Sequence, residues 1–90
     1  LKEPKPMDFR VQEEHGGIIT AIAPTDEMRS AASKALAAVT EPLLYARVDL
    51  VRDALGGFQL MELELIEPAL YLRMDIEAPT RFADAVAARI

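Results

Sequence analysis

Hydrophobic and polar residues alternate along two neighbouring runs near the middle of the chain. Residues 47–51 read Arg-Val-Asp-Leu-Val and residues 61–65 read Met-Glu-Leu-Glu-Leu, with Gly56 and Gly57 between them. Alternation with a period of two on both sides of a glycine-containing turn is typical of a β-hairpin. The pattern therefore predicts two antiparallel strands joined by a tight turn.

The length of the turn decides which residues face each other. A four-residue loop at 54–57 predicts that Asp53 pairs with Phe58, Asp49 with Glu62 and Arg47 with Glu64. Because side chains alternate along a strand, the hairpin then has one charged face and one apolar face. The charged face contains Arg47, Asp49, Glu62 and Glu64, and the apolar face contains Ala46, Val48, Leu50, Met61, Leu63 and Leu65. A register shift of one residue would exchange the faces.

The charged face has three carboxylates and a single arginine. Like charges opposite each other on neighbouring strands destabilise a sheet by roughly 0.2–1 kcal/mol per pair, so a compensating group is expected. A hard divalent cation is one such group, since Mg²⁺ binds one or two carboxylates and completes its shell with water and phosphate oxygens. The alternative is a solvated acidic face, and the spacing alone does not decide between them.

The rest of the chain predicts further strands and two helices. Residues 8–12 and 18–23 have strand-like composition, and residues 2–6, with two prolines, form a linker or an edge strand. Thr25 is a candidate helix cap before a narrow stripe of apolar residues, and Pro79 falls in the first turn of a second helix. The first stripe is Met28, Ala31, Ala32, Ala35, Leu36 and Val39; the second is Phe82, Ala83, Val86 and Ile90.

The expected order is strand, strand, helix, strand, strand, helix. Short connections and a tight hairpin favour an α+β unit with a mainly antiparallel sheet and helices packed on one face. The 90 residues are long enough for one domain. The charged face of the hairpin is then the one opposite the helices.

The composition of the chain argues against several classes of function. Fifteen acidic residues against ten basic ones give a net charge of −5, which argues against a binder of nucleic-acid phosphates. The chain has no cysteine, which excludes thiolate metal sites, and its single histidine cannot form a multi-histidine site. The lack of cysteine fits a cytoplasmic location. No apolar run approaches a membrane span, so we expect no membrane partner. The hydrophobic content of 51% leaves apolar surface for a neighbouring domain or for a homodimer.

The hairpin motif resembles the C-terminal core of ATP-grasp ligases of the glutathione synthetase and ribosomal-protein-modifying type. In that family an aspartate on one strand and a Glu-x-Asn pair on the next hold the Mg²⁺ or Mn²⁺ ions that bridge the phosphates of ATP. Asp49 and Glu62 match those positions, and Glu64 stands where asparagine is usual. The resemblance therefore implies a metal site formed by Asp49, Glu62 and Glu64, in which the extra negative charge leaves the number of ions open.

A second segment adds to the resemblance. Residues 8–17 are similar to the Thr-Arg-x-Asn-x-x-x-Gly-Gly segment of glutathione synthetases, whose arginine and amide contact phosphates or the acyl phosphate. By this resemblance Arg10 is a catalytic and ligand-binding candidate, and Gln12, Gly16 and Gly17 are nucleotide-binding candidates. Arg47 matches an arginine of the D-alanine ligase branch that steadies the transferred phosphoryl group.

The resemblance implies an ATP-dependent ligase that joins a carboxylate to an amine through an acyl phosphate. It also implies that residues 1–90 are the C-terminal part of a longer enzyme and are inactive alone, because the subdomain with the adenine pocket and the phosphate-binding lysines precedes this region. Lys2 and Lys5 lack an apolar strand context and are expected to be solvated. The alternative is a small interaction or dimerisation module with a solvated acidic face.

Overall fold

The computed structural model describes all 90 residues. Strands β1 (Lys2–Glu3) and β2 (Ile18–Ile19) form one antiparallel pair, and β3 (Arg47–Arg52) and β4 (Phe58–Glu64) form a second. Helices α1 (Asp26–Leu36) and α2 (Ala78–Ala87) follow β2 and β4, and short 3₁₀ turns lie at Glu13–His15 and Leu72–Met74. The predicted α+β class with antiparallel strands is confirmed, although the strands form two separate two-stranded sheets.

Helix α1 begins where the sequence predicts. The Thr25 hydroxyl accepts a hydrogen bond from the Met28 amide at 3.2 Å, and Asp26 and Glu27 lie in the first turn, where the helix dipole favours negative charge. The helix packs on the hairpin, with Ala31 and Ala35 beside Leu50 and Leu60. Its small side chains allow this close approach.

Replacing Thr25 by alanine removes the cap of α1. Because the Met28 amide then loses its partner, we expect the free energy of unfolding to fall by about 1 kcal/mol. Thr40→Ala is the matched control, since the Thr40 hydroxyl bonds only the neighbouring Glu41 side chain on the surface. Urea unfolding of both variants measures the difference, and equal stabilities would show that the cap contributes nothing.

The first predicted strand is wrong. Residues 8–12 form a loop in which the Asp8 carboxylate accepts hydrogen bonds from the backbone and the guanidinium of Arg10, at 2.9 to 3.1 Å. Such local bonds from an aspartate compete with strand pairing. The partner of β2 is instead β1, so the edge-strand alternative is correct for Lys2–Glu3 but not for residues 4–6, and β2 itself is shorter than the predicted 18–23.

The end of the chain also differs from expectation. Helix α2 has Pro79 in its first turn, as predicted, and the Phe82 ring lies 6.1 Å from the Tyr45 ring. Ile90 lies beyond the end of the helix and its side chain is exposed, and Ala83 is exposed as well, so neither packs inward. Neither α1 nor α2 is long and apolar enough to cross a membrane.

The fold leaves much apolar surface uncovered. No residue is fully buried, and twelve large apolar side chains are exposed. The accessible surface is 6995 Å², whereas a compact monomer of this mass has about 5200 Å². The radius of gyration is 14.5 Å, against about 12 Å expected for this length. The chain is therefore elongated, with apolar surface available for further packing.

Candidate functional site

The charged face of the hairpin is a network centred on Arg47. Its Nε donates to Asp49 Oδ1 at 3.0 Å, and its Nη2 lies 3.2 Å from both Asp49 Oδ2 and Glu62 Oε2. Its Nη1 lies 3.2 Å from Glu64 Oε2. The structure thus brings together the four residues that the hairpin pattern assigns to one face, and we call these four the acidic cluster.

A β-bulge sets the register at the acidic cluster. Near the turn Arg52 pairs with Phe58, not Asp53 as predicted, because the loop has three residues and Asp53 bonds Gly57. The register shifts between Asp49 and Leu50, so that Asp49 faces Glu62 as predicted. The bulge adds one unpaired residue to β4, which compensates for the loop being one residue shorter than predicted. Without it Glu62 would lie on the apolar face.

The turn itself is organised by one carboxylate. Asp53 Oδ1 accepts the amides of Leu55 and Gly57, each at 2.9 Å, and Gly56 adopts the left-handed conformation with φ of 85°. The pKa of Asp53 is held below its usual range, chiefly by a hydrogen bond from the Gln59 side chain and also by these backbone amides. Asp53 is thus part of the turn and not of the strand ladder with Phe58.

Lys2 joins the acidic cluster from the other sheet. Its Nζ lies 2.8 Å from Asp49 Oδ2, and its side chain is only 26% exposed. The expectation that Lys2 is solvated is therefore wrong. No local signal in the sequence could have shown this contact, because 47 residues separate the partners and the pairing depends on where β1 lies.

The Tyr71 ring lies beside the Lys2 and Arg47 side chains. Lys2 Nζ is 5.4 Å from the centre of its ring and the Arg47 guanidinium is 5.9 Å from it, within the range of cation–π attraction. The Tyr71 backbone has φ of 50°, and Glu67 has φ of 53°, a conformation that costs non-glycine residues energy. Between them the Ala69 carbonyl accepts a bond from Arg47 at 3.4 Å. This strained segment therefore contacts the arginine at the centre of the cluster.

The carboxylates of the cluster have different pKa shifts. Partial burial alone would raise the pKa of Asp49, but hydrogen bonds from Lys2 and Arg47 outweigh it and hold the pKa below its usual range. The pKa of Glu62 is raised, chiefly by its contact with the Glu64 carboxyl and then by desolvation. The surroundings therefore favour the charged form of Asp49, with a lowered pKa, and the neutral form of Glu62, with a raised pKa.

These shifts predict opposite effects on stability. The contribution of Asp49 is present above its unfolded pKa, about 3.9, and is lost as pH falls through its lower folded value. The contribution of Glu62 is present below about pH 4.3 and is lost as pH rises through its higher folded value. In Glu64→Gln the pKa of Glu62 should return towards its usual range. Carboxyl NMR titration measures this, and an unchanged Glu62 pKa would show that Glu64 is not the cause.

The side chains of the acidic cluster are of the type that a hard cation binds, but their positions in this structure do not form a metal site. Carboxylate oxygens are the ligands of Mg²⁺, and one or two are enough when water and phosphate complete the shell. Yet no group of three or more acidic, histidine or cysteine side chains is placed to hold a metal ion. The carboxylates of Asp49, Glu62 and Glu64 converge on Arg47 instead. Asp49 and Glu62, which face each other, could bind a cation once the protein's own cations move.

The second set of candidates makes no hydrogen bond or ion pair with the acidic cluster. Arg10 makes its ion pair with Asp8 and none with the hairpin, and the Gln12 side chain makes no hydrogen bond. The amides of Gly16 and Gly17 donate to Glu13 and Gln12 carbonyls at 2.9 and 3.0 Å, so both are already bonded within the loop. A Cβ on Gly17 would lie 1.9 Å from the Val11 carbonyl oxygen, so only glycine fits there.

An apolar cleft lies beside the acidic cluster. It has a volume of about 500 Å³, and both Asp49 and Lys2 contribute to its wall. Its apolar lining includes Met28 of α1 and Val48 and Met61 of the hairpin. Concave sites of this size, mostly apolar with a few polar groups, are typical of small-molecule binding.

One curated protein resembles the chain in sequence. The cycloserine biosynthesis protein DcsG of Streptomyces lavendulae is 41% identical over 71 residues, which cover 72% of this chain and 24% of that protein. The chain thus spans about a quarter of the length of its relative. No protein-family model matches the chain, and no solved structure matches it.

Proposed function

We propose that this chain forms part of an ATP-dependent carboxylate–amine ligase and that the acidic cluster is its Mg²⁺–nucleotide site. The observation that carries the proposal is the placement of Asp49 opposite Glu62 beside an arginine, with Asp49 only 12% exposed. A carboxylate that is merely solvated would not be held this way. The similarity to a biosynthesis protein about four times longer than the matched segment supports an enzymatic role within a larger chain.

In this proposal an oxygen of the substrate carboxylate attacks the γ-phosphorus of ATP and the bond to the leaving ADP breaks. The amine then attacks the acyl carbon, phosphate leaves, and the amine loses a proton. A bound Mg²⁺ supplies charge neutralisation on the phosphates. Asp49 and Glu62 would hold the cation, and Glu64 would add a further oxygen ligand or keep Arg47 in place. Arg47 would orient the transferred phosphoryl group. Arg10, Gln12, Gly16 and Gly17 are nucleotide contacts by the resemblance alone, since in this structure Arg10 is paired with Asp8 and the two glycine amides are bonded within their loop.

The proposed function also accounts for the exposed apolar surface. An ATP-grasp enzyme encloses its nucleotide between two subdomains, and an elongated α+β unit with twelve exposed large apolar side chains is suited to pack against the other one. The same surface would also serve the alternative, an interaction or dimerisation module. That alternative explains the exposed residues but not the shielding of Asp49.

Thermal stability of the full-length protein with nucleotide separates the two functions. A ligase should be stabilised by ADP only when Mg²⁺ or Mn²⁺ is present, by about 2.7 kcal/mol at a hundred times the dissociation constant. Asp49→Asn should lose most of this shift, whereas Asp75→Asn, an ion-paired acid outside the cluster, should keep it. No shift with metal and ADP together would favour the interaction module.

A further inference from the structure

Four of the twelve exposed large apolar side chains line the apolar cleft beside the acidic cluster. These are Leu1, Ile22, Val51 and Met61, and each is 48–60% exposed. They come from the N-terminus, from the segment before α1 and from both strands of the hairpin, so this exposed surface is gathered around one concavity. A ligand in the cleft would therefore cover apolar surface that the fold itself leaves open.

One charged group in the cleft wall makes no hydrogen bond. The wall includes Lys2, Arg29 and Asp49. Lys2 and Asp49 bond each other, and Asp49 also accepts from Arg47. Six of the seven arginines of the chain donate a side-chain hydrogen bond, and Arg29 is the exception, since its nearest carboxylate is Asp26 at 3.9 Å. Although the chain has a net charge of −5, the cleft thus has a guanidinium available for a ligand.

The charge and lining of the cleft indicate the kind of ligand. A guanidinium is a planar fork of donors that matches the two oxygens of a carboxylate. One guanidinium also balances one negative charge, whereas a phosphate ester has nearly two. The rest of the wall is mostly apolar and includes Met28 and Met61, whose flexible side chains adapt to different apolar shapes. The volume of about 500 Å³ lies within the usual range of small-molecule sites.

We propose that the apolar cleft binds a carboxylate with an apolar body, such as a medium-chain fatty acid. The carboxylate accepts hydrogen bonds from Arg29, and the apolar body lies against Met28, Val48 and Met61. This inference goes beyond the proposed function, because it requires neither a nucleotide nor a metal ion. Since Lys2 and Asp49 also line the cleft, the ligand lies next to the acidic cluster.

Isothermal titration calorimetry of the full-length protein with octanoate, octanol and octylamine tests the proposal. The three probes share one apolar chain and differ in charge. We expect octanoate to bind about five- to twentyfold more tightly than octanol, as expected for one charge-assisted pair at a partly exposed site, and octylamine to bind no more tightly than octanol. Each methylene removed from octanoate should weaken binding by about two- to fourfold.

Arg29→Met removes the partner of the carboxylate and keeps an apolar side chain. It should reduce the preference for octanoate over octanol to within about twofold and leave octanol binding unchanged. Lys34→Met is the matched control, since Lys34 is an exposed cation on the same helix that does not line the cleft. This variant should keep the full preference. Arg29→Gln serves as a second variant with the same expectation as Arg29→Met.

A second pair of variants tests the apolar wall. Met61→Glu should weaken the binding of octanoate and octanol by about tenfold or more, because it places a charge among apolar groups. Ile76→Glu changes an exposed apolar side chain outside the cleft and should leave both affinities unchanged. Unchanged binding by Met61→Glu would place the ligand elsewhere and overturn the proposal.

Two further results would also overturn it. Equal binding of octanoate and octanol by the wild type, or a preference that survives Arg29→Met, would show that the cleft does not recognise a carboxylate. No binding of octanoate to the wild type at millimolar concentrations would show that the cleft is closed to small molecules, covered by the rest of the polypeptide or by a second copy. Both results leave the ligase proposal standing, since that is tested separately by stabilisation with metal and ADP.

Discussion

If the chain is part of the proposed ligase, replacing Asp49 by asparagine is expected to lower the ATP-dependent turnover of the full-length protein by a factor on the order of 10²–10³. This is the loss typical when one group that stabilises charge in a reaction is removed. The fold should persist, because an asparagine oxygen can still accept the hydrogen bond that Arg47 Nε donates at 3.0 Å. Steady-state kinetics measure the effect, with circular dichroism as a check on folding.

The matched control is Asp75→Asn. Asp75 is also ion-paired, to Arg81, and its Oδ1 accepts the Glu77 amide at 2.9 Å, but it makes no contact with the acidic cluster. Its replacement should change turnover by less than about threefold, as for surface substitutions away from a site. Turnover of Asp49→Asn close to that of Asp75→Asn would remove Asp49 from the reaction.

The second large effect is expected for Arg47→Met, on the free energy of unfolding. Replacing Arg47 by methionine leaves three carboxylates with only Lys2 to neutralise them, and Arg47 is only 18% exposed. We expect the free energy of unfolding to fall by about 2–3 kcal/mol, in the range for a lost charged partner in a partly buried network. The loss should shrink in high salt, since screening reduces the repulsion that remains. Urea unfolding at two salt concentrations measures both effects.

Arg29→Met is the control for Arg47. Arg29 pairs with Asp26 at 3.9 Å, both side chains are largely exposed, and neither makes an ion pair with the acidic cluster. Exposed pairs contribute little, so its replacement should change stability by less than about 0.5 kcal/mol. A similar effect of the two substitutions would show that the acidic cluster does not hold the hairpin together.

The hairpin was predictable because its signal is local. Alternating residues on both sides of Gly56 and Gly57 set the two faces, and the cap at Thr25 set the start of α1. The register at Asp49 was also correct, but for an incomplete reason: the loop is one residue shorter than predicted and the bulge restores the pairing. A bulge has no clear sequence signal here, since Leu60 and Met61 are both apolar.

What the sequence could not show depends on contacts between distant segments. Residues 8–12 have strand-like composition, yet Asp8 folds back onto Arg10 and the strand is not formed. The contact of Lys2 with Asp49 crosses between two sheets. The ring of Tyr71, whose backbone is left-handed, lies beside Lys2 and Arg47, which come from distant parts of the chain. Local composition predicts elements, whereas the neutralisation of the cluster is a tertiary property.

The measurement we would place first is an analysis of nucleotide products in the presence of hydroxylamine, which traps an acyl phosphate as a hydroxamate. The full-length protein is incubated with ATP, Mg²⁺ and a panel of carboxylates, in the wild type and in Asp49→Asn. We predict hydroxamate with an equal amount of ADP in the wild type, and neither product above background in the variant. Formation of AMP and pyrophosphate, or undiminished hydroxamate in Asp49→Asn, would contradict the ligase proposal.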